Sequence, residues 1–497
     1  MKNKDINGSE FDDKNAAKKD IGITVGKNED FSEWYQQAIL KAELIEYGPV
    51  SGCMIIRPYA YAIWENIQEY FNEKIKAMGV KNAYFPLFIP ESLFSKEKEH
   101  VEGFSPEVAW VTQGGSSELP EKLGIRPTSE TIMYDAYSKW IRSWRDLPLK
   151  INQWCNVVRW EFKHPVPFLR TREFLWQEGH TVFETREEAE KEVLDILFLY
   201  KKIFEEIYAV PVLEGIKSEN EKFAGAVYTL SVETVFPNGK AIQGATSHFL
   251  GQNFSKSFNI FFLNKNGEKE FAWQNSWGIS TRSIGIMLAI HGDDKGIIMP
   301  PKIAPIHIVI VPILFDDNEE ILLKCDELKK ELSKITFNGK KLNIIVDDRN
   351  YTPGYKYNHW ELRGVPLRIE IGPKELKNNS IFIVRRDTGE KIVLNKNIDE
   401  NIKKVLEDIQ SKLFEKAKEN LNNSIITTAD FDVFKKSVDE KKIVFAPFCN
   451  NPECEKNIKE ITGAKTLNAP IVQDFEKSNC VACGAYAEKW FYFGKSY

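Results

Sequence analysis

The 497-residue sequence has few cysteines and no apolar run long enough to cross a membrane. Seven scattered cysteines do not resemble the dense disulfide framework of a small secreted domain, which favours a reducing compartment. The longest apolar candidate, residues 303–315, is interrupted by Pro305, His307 and Pro312, whereas a spanning helix needs ~20 apolar residues. Residues 1–28 are rich in charge and lack the apolar core of a secretory signal. We therefore expect a cytoplasmic protein with no membrane partner.

The sequence also lacks an excess of positive charge, with 67 Lys and Arg against 72 Asp and Glu. A net charge of −5 argues against a uniformly basic nucleic-acid binder. The basic residues still suffice for a local patch. Charge alone neither requires nor excludes RNA.

The length implies about three domains, since one domain usually has ~100–200 residues. Helical periodicity predicts a helix over 58–78, and a Thr-x-x-Glu box at Thr185 predicts a second amphipathic helix. Strands 228–236 and 240–250 flank a strong turn, and a strand over 80–89 contains Pro86, which suits a sheet edge or a subunit contact. After residue 300, strands alternate with helices up to residue 371. This pattern predicts an α/β domain with a largely parallel sheet.

A predicted hairpin carries the most informative residues. Its strands, 151–162 and 173–183, are rich in β-branched and aromatic residues. Alternation places Arg159 and Glu161 on one face, and it places Trp176, Glu178 and His180 on one face of the partner strand. Such a surface suits a phosphate, because the guanidinium fork matches phosphate oxygens. Cross-strand ion pairs on a solvated face are the alternative.

Two further groups stand outside the hairpin. Arg282 is predicted in the opening turns of a helix, where backbone amides favour an anion, although a plain surface arginine fits as well. Four cysteines form two close pairs near the C-terminus, which predicts a structural zinc site in preference to free or redox-active thiols. The members are Cys449, Cys454, Cys480 and Cys483.

These motifs together resemble those of class II aminoacyl-tRNA synthetases. The three signatures, in order, are Gly79 to Pro86, Arg159-x-Glu161 with Arg170-x-x-x-Phe174, and Gly278-x-x-x-Arg282. Within that class, residues 30–497 resemble the prolyl-tRNA synthetase family of the eukaryotic and archaeal type. This finer resemblance rests on Pro127-Thr128-Ser129-Glu130, Phe174 to Thr181, Gly244 to His248, Gly251 to Phe254, Thr352 to Lys356 and Phe493 to Tyr497.

The resemblance implies an α+β and α/β multidomain protein. Its parts would be a catalytic domain built on an antiparallel sheet with helices (29–299), an α/β anticodon-binding domain (300–405) and a small α/β zinc-binding domain (406–497). The charged composition of residues 1–28 separately predicts a flexible leader. The resemblance also implies a homodimer. The expected reaction joins L-proline and ATP into prolyl-adenylate and pyrophosphate, and then transfers proline to the 3′ end of proline tRNA.

The site residues follow from the same resemblance. Arg159, Glu161 and Arg282 would act in catalysis, with Arg159 between the substrate carboxylate and the α-phosphate. The ATP site would add Arg170, Thr171, Phe174, Gln243, Thr246 and Ser280. Magnesium should accompany ATP because it offsets the triphosphate charge, with Glu233 as a possible ligand. Proline would be held by Thr128, Glu130, Arg159, Trp176, Glu178, His180, His248 and Phe104, although either histidine also fits a purely structural role.

For tRNA, the second domain would read the anticodon, and the candidates are Arg368, Glu370 and Lys374. Solvated surface charges are the alternative for each of them. Two other functions compete with this interpretation: another class II synthetase, such as a threonyl or glycyl enzyme, and a catalytically silent RNA-binding relative. The presence of all three signature arginines argues against the silent relative.

The spacing between the second and third motifs generates one prediction. About sixty residues separate the hairpin from Gln243, and predicted elements fill them, so no large editing insertion fits there. Alanine should then be activated detectably, because lost apolar contacts give only ~1–3 kcal/mol of discrimination. Alanine-dependent ATP–pyrophosphate exchange measures this, and exchange no higher than background would contradict the expectation.

Overall fold

A seven-stranded sheet forms the centre of the larger of two units in this computed structural model, which describes residues 22–94, 107–161, 164–314 and 319–497. The larger unit comprises Ile45–His291, Pro300–Pro305 and Lys404–Tyr497. Every neighbouring pair in the sheet is antiparallel except the first, which is parallel. In spatial order the strands are Lys81–Asn82, Leu149–Val158, Glu173–Phe183, Trp273–Ser280, Ala241–Gly251, Tyr228–Val235 and Leu213–Ile216.

Helices cover this sheet, and the Thr185 prediction is confirmed. Thr185 caps the helix Arg186–Lys202, and Glu188 completes the reciprocal capping box. The helix continues into a π-helical turn, Ile203–Ile207, and contacts the strands Ala241–Gly251 and Trp273–Ser280. The other helices of this part are Pro58–Ala77, Glu130–Trp140, the short Trp144–Asp146, Asn253–Ser257 and Arg282–His291.

Two predicted strands differ from those observed. The first hairpin strand ends at Val158, so the prediction that Arg159 and Glu161 share a strand face is wrong. There the amide of Arg159 donates to the carbonyl of Arg172, and the chain then turns.

The single strand predicted over 80–89 is also wrong. Two short strands, Lys81–Asn82 and Phe88–Pro90, belong to different sheets, and Pro86 lies between them. Its ring nitrogen cannot donate a ladder hydrogen bond, which explains the break. Phe88–Pro90 joins Ser117–Ile125 and Trp110–Gly114 in a three-stranded sheet.

The C-terminal domain packs in the same unit. The helix Ile398–Asn423 precedes it, and its sheet has the order Ile425–Thr427, Ile443–Phe448, Lys489–Gly494 and Lys465–Thr466. Its helices are Phe431–Asp439 and Pro452–Thr462. Two-stranded pairs elsewhere in the unit are Ile45–Tyr47 with Met54–Ile56, Phe261–Leu263 with Lys269–Phe271, and Ser478–Asn479 with Tyr486–Ala487.

The smaller unit contains the predicted α/β domain. Its sheet has the order Ile344–Val346, Ile308–Pro312, Leu367–Ile371, Ile381–Arg385 and Lys391–Leu394. The first three strands are parallel to one another, and each of the last two is antiparallel to the strand before it. The sheet is therefore mixed rather than largely parallel. Its helices are Glu319–Leu332, Pro353–Leu362 and Pro373–Asn378, and Thr336–Phe337 pairs with Lys340–Lys341.

Residues 22–44 and 292–299 also belong to the smaller unit. Within the predicted leader, Lys27 donates its amide to the side chain of Asp294 (2.7 Å) and its ammonium to the carbonyl of Gly292 (2.6 Å). The helix Phe31–Lys41 follows. Residues 1–21 lie outside the described part of the chain. Within the described residues, every helix is too short or too polar to span a membrane.

Gly179 allows its strand to pack directly against the indole ring of Trp277. A Cβ at Gly179 would lie 2.2 Å from ring atoms of Trp277, a buried residue on the adjacent strand. Backbone and ring therefore touch at this point, and a methyl group requires the ring or the strand to move.

Gly179→Ala should accordingly destabilise the protein by about 1–3 kcal/mol, the usual cost of overpacking. Thermal unfolding measures the effect. The control is Gly354→Ala, since a Cβ there meets no atom within 4 Å. Equal melting temperatures for the two variants would contradict this account of the contact.

Candidate active site and metal centre

A cavity of about 260 Å³ lies against the central sheet and gathers most of the residues predicted from the sequence. Strands Glu173–Phe183, Ala241–Gly251 and Trp273–Ser280 supply most of its wall. The predicted residues that line it are Thr128, Glu130, Arg159, Phe174, Trp176, Glu178, His180, Gln243, Thr246, His248, Ser280 and Arg282. Twelve side chains from distant parts of the sequence thus share one cavity.

Arginines dominate one end of the cavity. Burial, followed by the charges of Arg159 and Arg170, lowers the pKa of Arg282 to about 10. Nε of Arg282 donates to the carbonyl of Leu169 at 3.0 Å, which ties the helix start to the hairpin loop. Like charges held this close repel each other in the absence of a counter-charge, so this end of the cavity favours an anion.

Arg159 lies between the arginine end and the carboxylate end. Its Nε donates to the carbonyl of Pro127 at 3.1 Å, and its guanidinium carbon lies 5.5 and 5.4 Å from the ring centroids of Phe174 and Trp176. Burial lowers the pKa of Arg159, and neighbouring carboxylates oppose that shift. These contacts fix the guanidinium in place and leave its other nitrogen atoms available for a ligand.

The opposite end of the cavity is acidic. Glu178 is buried and accepts hydrogen bonds from the amide and hydroxyl of Ser129 and from Gln153. Although burial alone raises the pKa of Glu178, the hydrogen bond and charge of His180 hold it below its ordinary value. Glu130 lies beside this group and accepts a hydrogen bond from the hydroxyl of Thr128. An acidic end of this kind suits a cationic amine.

His180 lines the cavity but is almost completely buried. Nδ1 lies 3.1 Å from the hydroxyl of Tyr134, and Nε2 lies 3.1 Å from Glu178. Burial lowers the pKa of His180, but the hydrogen bond with Glu178 and the surrounding carboxylates raise it overall. Both ring nitrogens are engaged, which favours the structural role that the sequence analysis left open. Glu130, Glu178 and His180 also form a potential three-ligand metal group, with ligand atoms within 4.8 Å of one another.

His248 differs, because among the described residues its one hydrogen-bond partner is the hydroxyl of Thr229, 2.9 Å from Nδ1. Burial, with the charges of His180 and Lys217, lowers the pKa of His248 to about 3. The imidazole is therefore neutral at physiological pH, and its ring faces the cavity.

Several predicted residues are not in the lining. Arg170 is exposed, Thr171 is buried, and Glu161 is exposed beyond the strand end. Glu233 pairs with Lys217, whose Nζ lies 2.5 Å from the carboxylate. Phe104 lies outside the described residues. Among these, Arg170 still affects a lining residue, because its charge contributes to the lowered pKa of Arg282.

Nine lining residues were not predicted, and three of them lie outside the strands that form most of the wall: Glu221, Phe223 and Thr229. The first two lie on an irregular segment that carries no periodic pattern. Thr229 had a usable signal, because it lies opposite His248 in the hairpin whose turn the sequence predicts. Counting outward from Pro237-Asn238-Gly239 would have paired the two residues approximately.

The anticodon candidates lie in the smaller unit. Arg368 donates to Glu370 (3.0 Å) and Glu361 (3.3 Å), and its guanidinium carbon lies 3.9 Å from the ring centroid of Tyr357. Lys374 is exposed. The structure thus contains a small ion-pair network at this position.

The four C-terminal cysteines converge as their spacing predicts. Their sulfur atoms lie within 4.8 Å of one another, with Cys449–Cys483 and Cys454–Cys480 separations of 3.7 and 3.8 Å. A tetrahedron with Zn–S bonds of about 2.3 Å has sulfur–sulfur edges of about 3.8 Å, so the donor set fits zinc.

Comparison with known proteins gives three family matches along the chain. Residues 110–291 match the tRNA synthetase class II core domain (G, H, P, S and T), residues 307–408 match the anticodon binding domain, and residues 431–497 match the C-terminal domain of prolyl-tRNA synthetase.

Full-length relatives agree with these matches. The cytoplasmic proline–tRNA ligase of Arabidopsis thaliana is 50% identical, over 96% of this chain and 91% of its own length. Proline–tRNA ligase 2 of Bacillus cereus is 47% identical, over 97% of this chain and 100% of its own. The crystal structure of prolyl-tRNA synthetase from Cryptosporidium parvum, complexed with halofuginone and AMPPNP, matches with a TM-score of 0.91 and 49% identity, covering 96% of this chain and 97% of that one.

Proposed function

Because the chain belongs to the prolyl-tRNA synthetase family of class II aminoacyl-tRNA synthetases, we propose that its cavity is where L-proline and ATP combine. The protein is a proline–tRNA ligase, which forms prolyl-adenylate and transfers proline to proline tRNA. The observation that carries the assignment of the cavity is its polarity, with arginines at one end and buried carboxylates at the other.

Activation needs two anions brought together, since the proline carboxylate attacks the α-phosphate of ATP in line. Arg159 lies between the two ends of the cavity and is held by Pro127 and by two aromatic rings. We assign it the role of bridging the carboxylate and the α-phosphate, which lowers their repulsion and stabilises the charge that spreads in the transition state. No covalent enzyme intermediate is required.

ATP would occupy the arginine end. Arg282 and Arg170 would meet its outer phosphates, with Gln243, Thr246 and Ser280 along the wall and with Glu161, Thr171 and Phe174 towards the base and ribose. Magnesium bound to the triphosphate would supply further neutralisation of charge. Glu233 offers a carboxylate for the ion, in competition with its ion pair to Lys217.

Proline would occupy the acidic end. Its ring nitrogen is a cationic secondary amine, for which Glu130 and Thr128 provide acceptors, while Trp176 and His248 enclose the ring. Glu178 and His180 form the buried wall behind these groups.

The remaining assignments rest on family membership and on particular clusters. The smaller unit would read the anticodon of proline tRNA, and the Arg368 network is the candidate contact. The four thiols would hold a structural zinc ion. We also propose a homodimer that works in the cytoplasm and lacks an editing insertion, with functional boundaries at residues 29, 300 and 406.

Arg159→Ala should lower proline-dependent ATP–pyrophosphate exchange about 100-fold or more, the usual loss when a group that stabilises the transition state is removed. The control is Arg145→Ala, since Arg145 is exposed and stacks on Trp144. Near-normal exchange by a folded Arg159→Ala protein would refute the role given to this residue. Exchange by the unaltered protein that responds to threonine or glycine instead of proline, or to none of them, would refute the proposed substrate.

The zinc assignment predicts about one zinc ion per chain by elemental analysis of the purified protein. Cys480→Ser should lose most of the metal, because one thiolate ligand is replaced by a weaker hydroxyl. Cys53→Ser should keep it, since Cys53 lies outside the cluster. Equal zinc content in both variants would contradict the assignment.

A further inference from the structure

Residues 217–227, which we name the pocket loop, join the edge strand Leu213–Ile216 to Tyr228–Val235. The loop contributes Glu221 and Phe223 to the cavity wall on the side of His248. It has no regular secondary structure, so its conformation depends on what it touches.

On its inner side, the pocket loop contacts His248 and its hydrogen-bond partner Thr229. The ring of Phe223 lies over the imidazole with centroids 4.7 Å apart and planes inclined by 36°. The amide of Phe223 donates to the hydroxyl of Thr229 at 2.9 Å, and that buried hydroxyl lies 2.9 Å from Nδ1 of His248. The hydroxyl accepts from the amide of Phe223 and is within hydrogen-bonding distance of Nδ1, so one hydroxyl links the pocket loop to the imidazole.

On its outer side, the pocket loop is held by the C-terminal domain through a buried carboxylate. Glu455 accepts a hydrogen bond from the hydroxyl of Ser218 at 2.8 Å, and it also accepts from the amide and hydroxyl of Thr466. Glu455 and Ser218 are both buried. A buried carboxylate without these donors would be costly, so the three groups hold one another in place.

Two further contacts bind the same loop. Nζ of Lys465 lies 2.7 Å from the carboxylate of Glu221, and the amide of Glu219 donates to the side chain of Asn450 at 3.0 Å. Immediately before the loop, Ile216 and Ala469 exchange two backbone hydrogen bonds of 2.8 Å. All of these partners belong to the C-terminal domain, more than 200 residues away in sequence.

We propose that the C-terminal domain positions the proline-binding wall, with Glu455 and Lys465 as positioning residues that act through the pocket loop. Glu455 fixes the start of the loop at Ser218. Lys465 holds the carboxylate of Glu221 and neutralises it at the cavity wall. With Ser218 and Glu221 fixed, Phe223, which lies two residues further on, stays over His248 and its amide stays on Thr229. The inference rests on the proposed use of this cavity for proline, and it concerns amino-acid binding rather than ATP binding.

Lys465→Met tests the proposal gently, because the Lys465–Glu221 pair is partly exposed and its loss leaves the buried Glu455 cluster intact. The proline KM should rise about three- to fivefold, as expected for one partly exposed ion pair. The ATP KM and kcat should change less than about twofold. Lys465→Arg should have nearly the same proline KM as the unaltered protein, because it keeps the positive charge. The matched control is Lys459→Met, an exposed lysine on the same domain.

Hydrogen exchange gives a readout that does not depend on catalysis. Amides in peptides covering 217–227 should exchange faster in Lys465→Met than in Lys459→Met, because the loop has lost an anchor. Adding Glu221→Gln to Lys465→Met should raise the proline KM little further, because both changes remove the same ion pair.

The outcomes distinguish a failure of the positioning role from a failure of the proposed function. The positioning role would be overturned if Lys465→Met left both the proline KM and the amide hydrogen exchange of residues 217–227 unchanged. A general fall in kcat and melting temperature, with no selective effect on proline, would also overturn it and would show a merely structural contact. Absence of proline-dependent ATP–pyrophosphate exchange by the unaltered protein would instead refute the proposed function.

Discussion

The buried carboxylate of Glu178 is the constraint around which the cavity is organised. It is taken out of water between two strands and a helix start, a placement that is unfavourable unless its oxygens are hydrogen-bonded. Ser129, Gln153 and His180 supply those bonds, each from a different element. Satisfying one carboxylate therefore fixes the strand Leu149–Val158 and the start of the helix Glu130–Trp140 relative to each other. The same helix start carries Glu130 and Thr128 into the cavity.

The second organising feature is the separation of charge along the cavity. Arg282 and Arg170 are concentrated at one end and carboxylates at the other, with Arg159 between them. An amino acid carries a cation and an anion a few ångströms apart, and ATP carries its charge at the phosphates. On the proposed assignment, the cavity complements both only when the amino-acid carboxylate points towards the phosphates, which is the orientation that activation needs. One arrangement of side chains would then provide both binding and alignment.

How far the sequence could predict this structure depended on the range of the interactions. The box Thr185-x-x-Glu188 and the second hairpin are local, and both were correct. Alternation along residues 173–183 correctly placed Trp176, Glu178 and His180 on the cavity side, because the strand is regular. The same argument failed for Arg159 and Glu161, since the strand ends at Val158 and alternation has no meaning beyond it. Most predicted site residues came from family motifs rather than from periodicity.

What the sequence could not reveal is the contact between the pocket loop and the C-terminal domain. Ser218 and Glu455 are 237 residues apart and carry no pattern that links them. Glu455 follows Cys454 directly, on a helix whose first turn is capped by Asn451, and Asn450 follows Cys449. A metal ion held by the four thiols would therefore fix the backbone from which Glu455 and Asn450 reach the pocket loop. A metal-bound cysteine cluster would then stabilise more than its own domain, because its rigidity would extend through two hydrogen bonds to the loop that lines the proposed proline site.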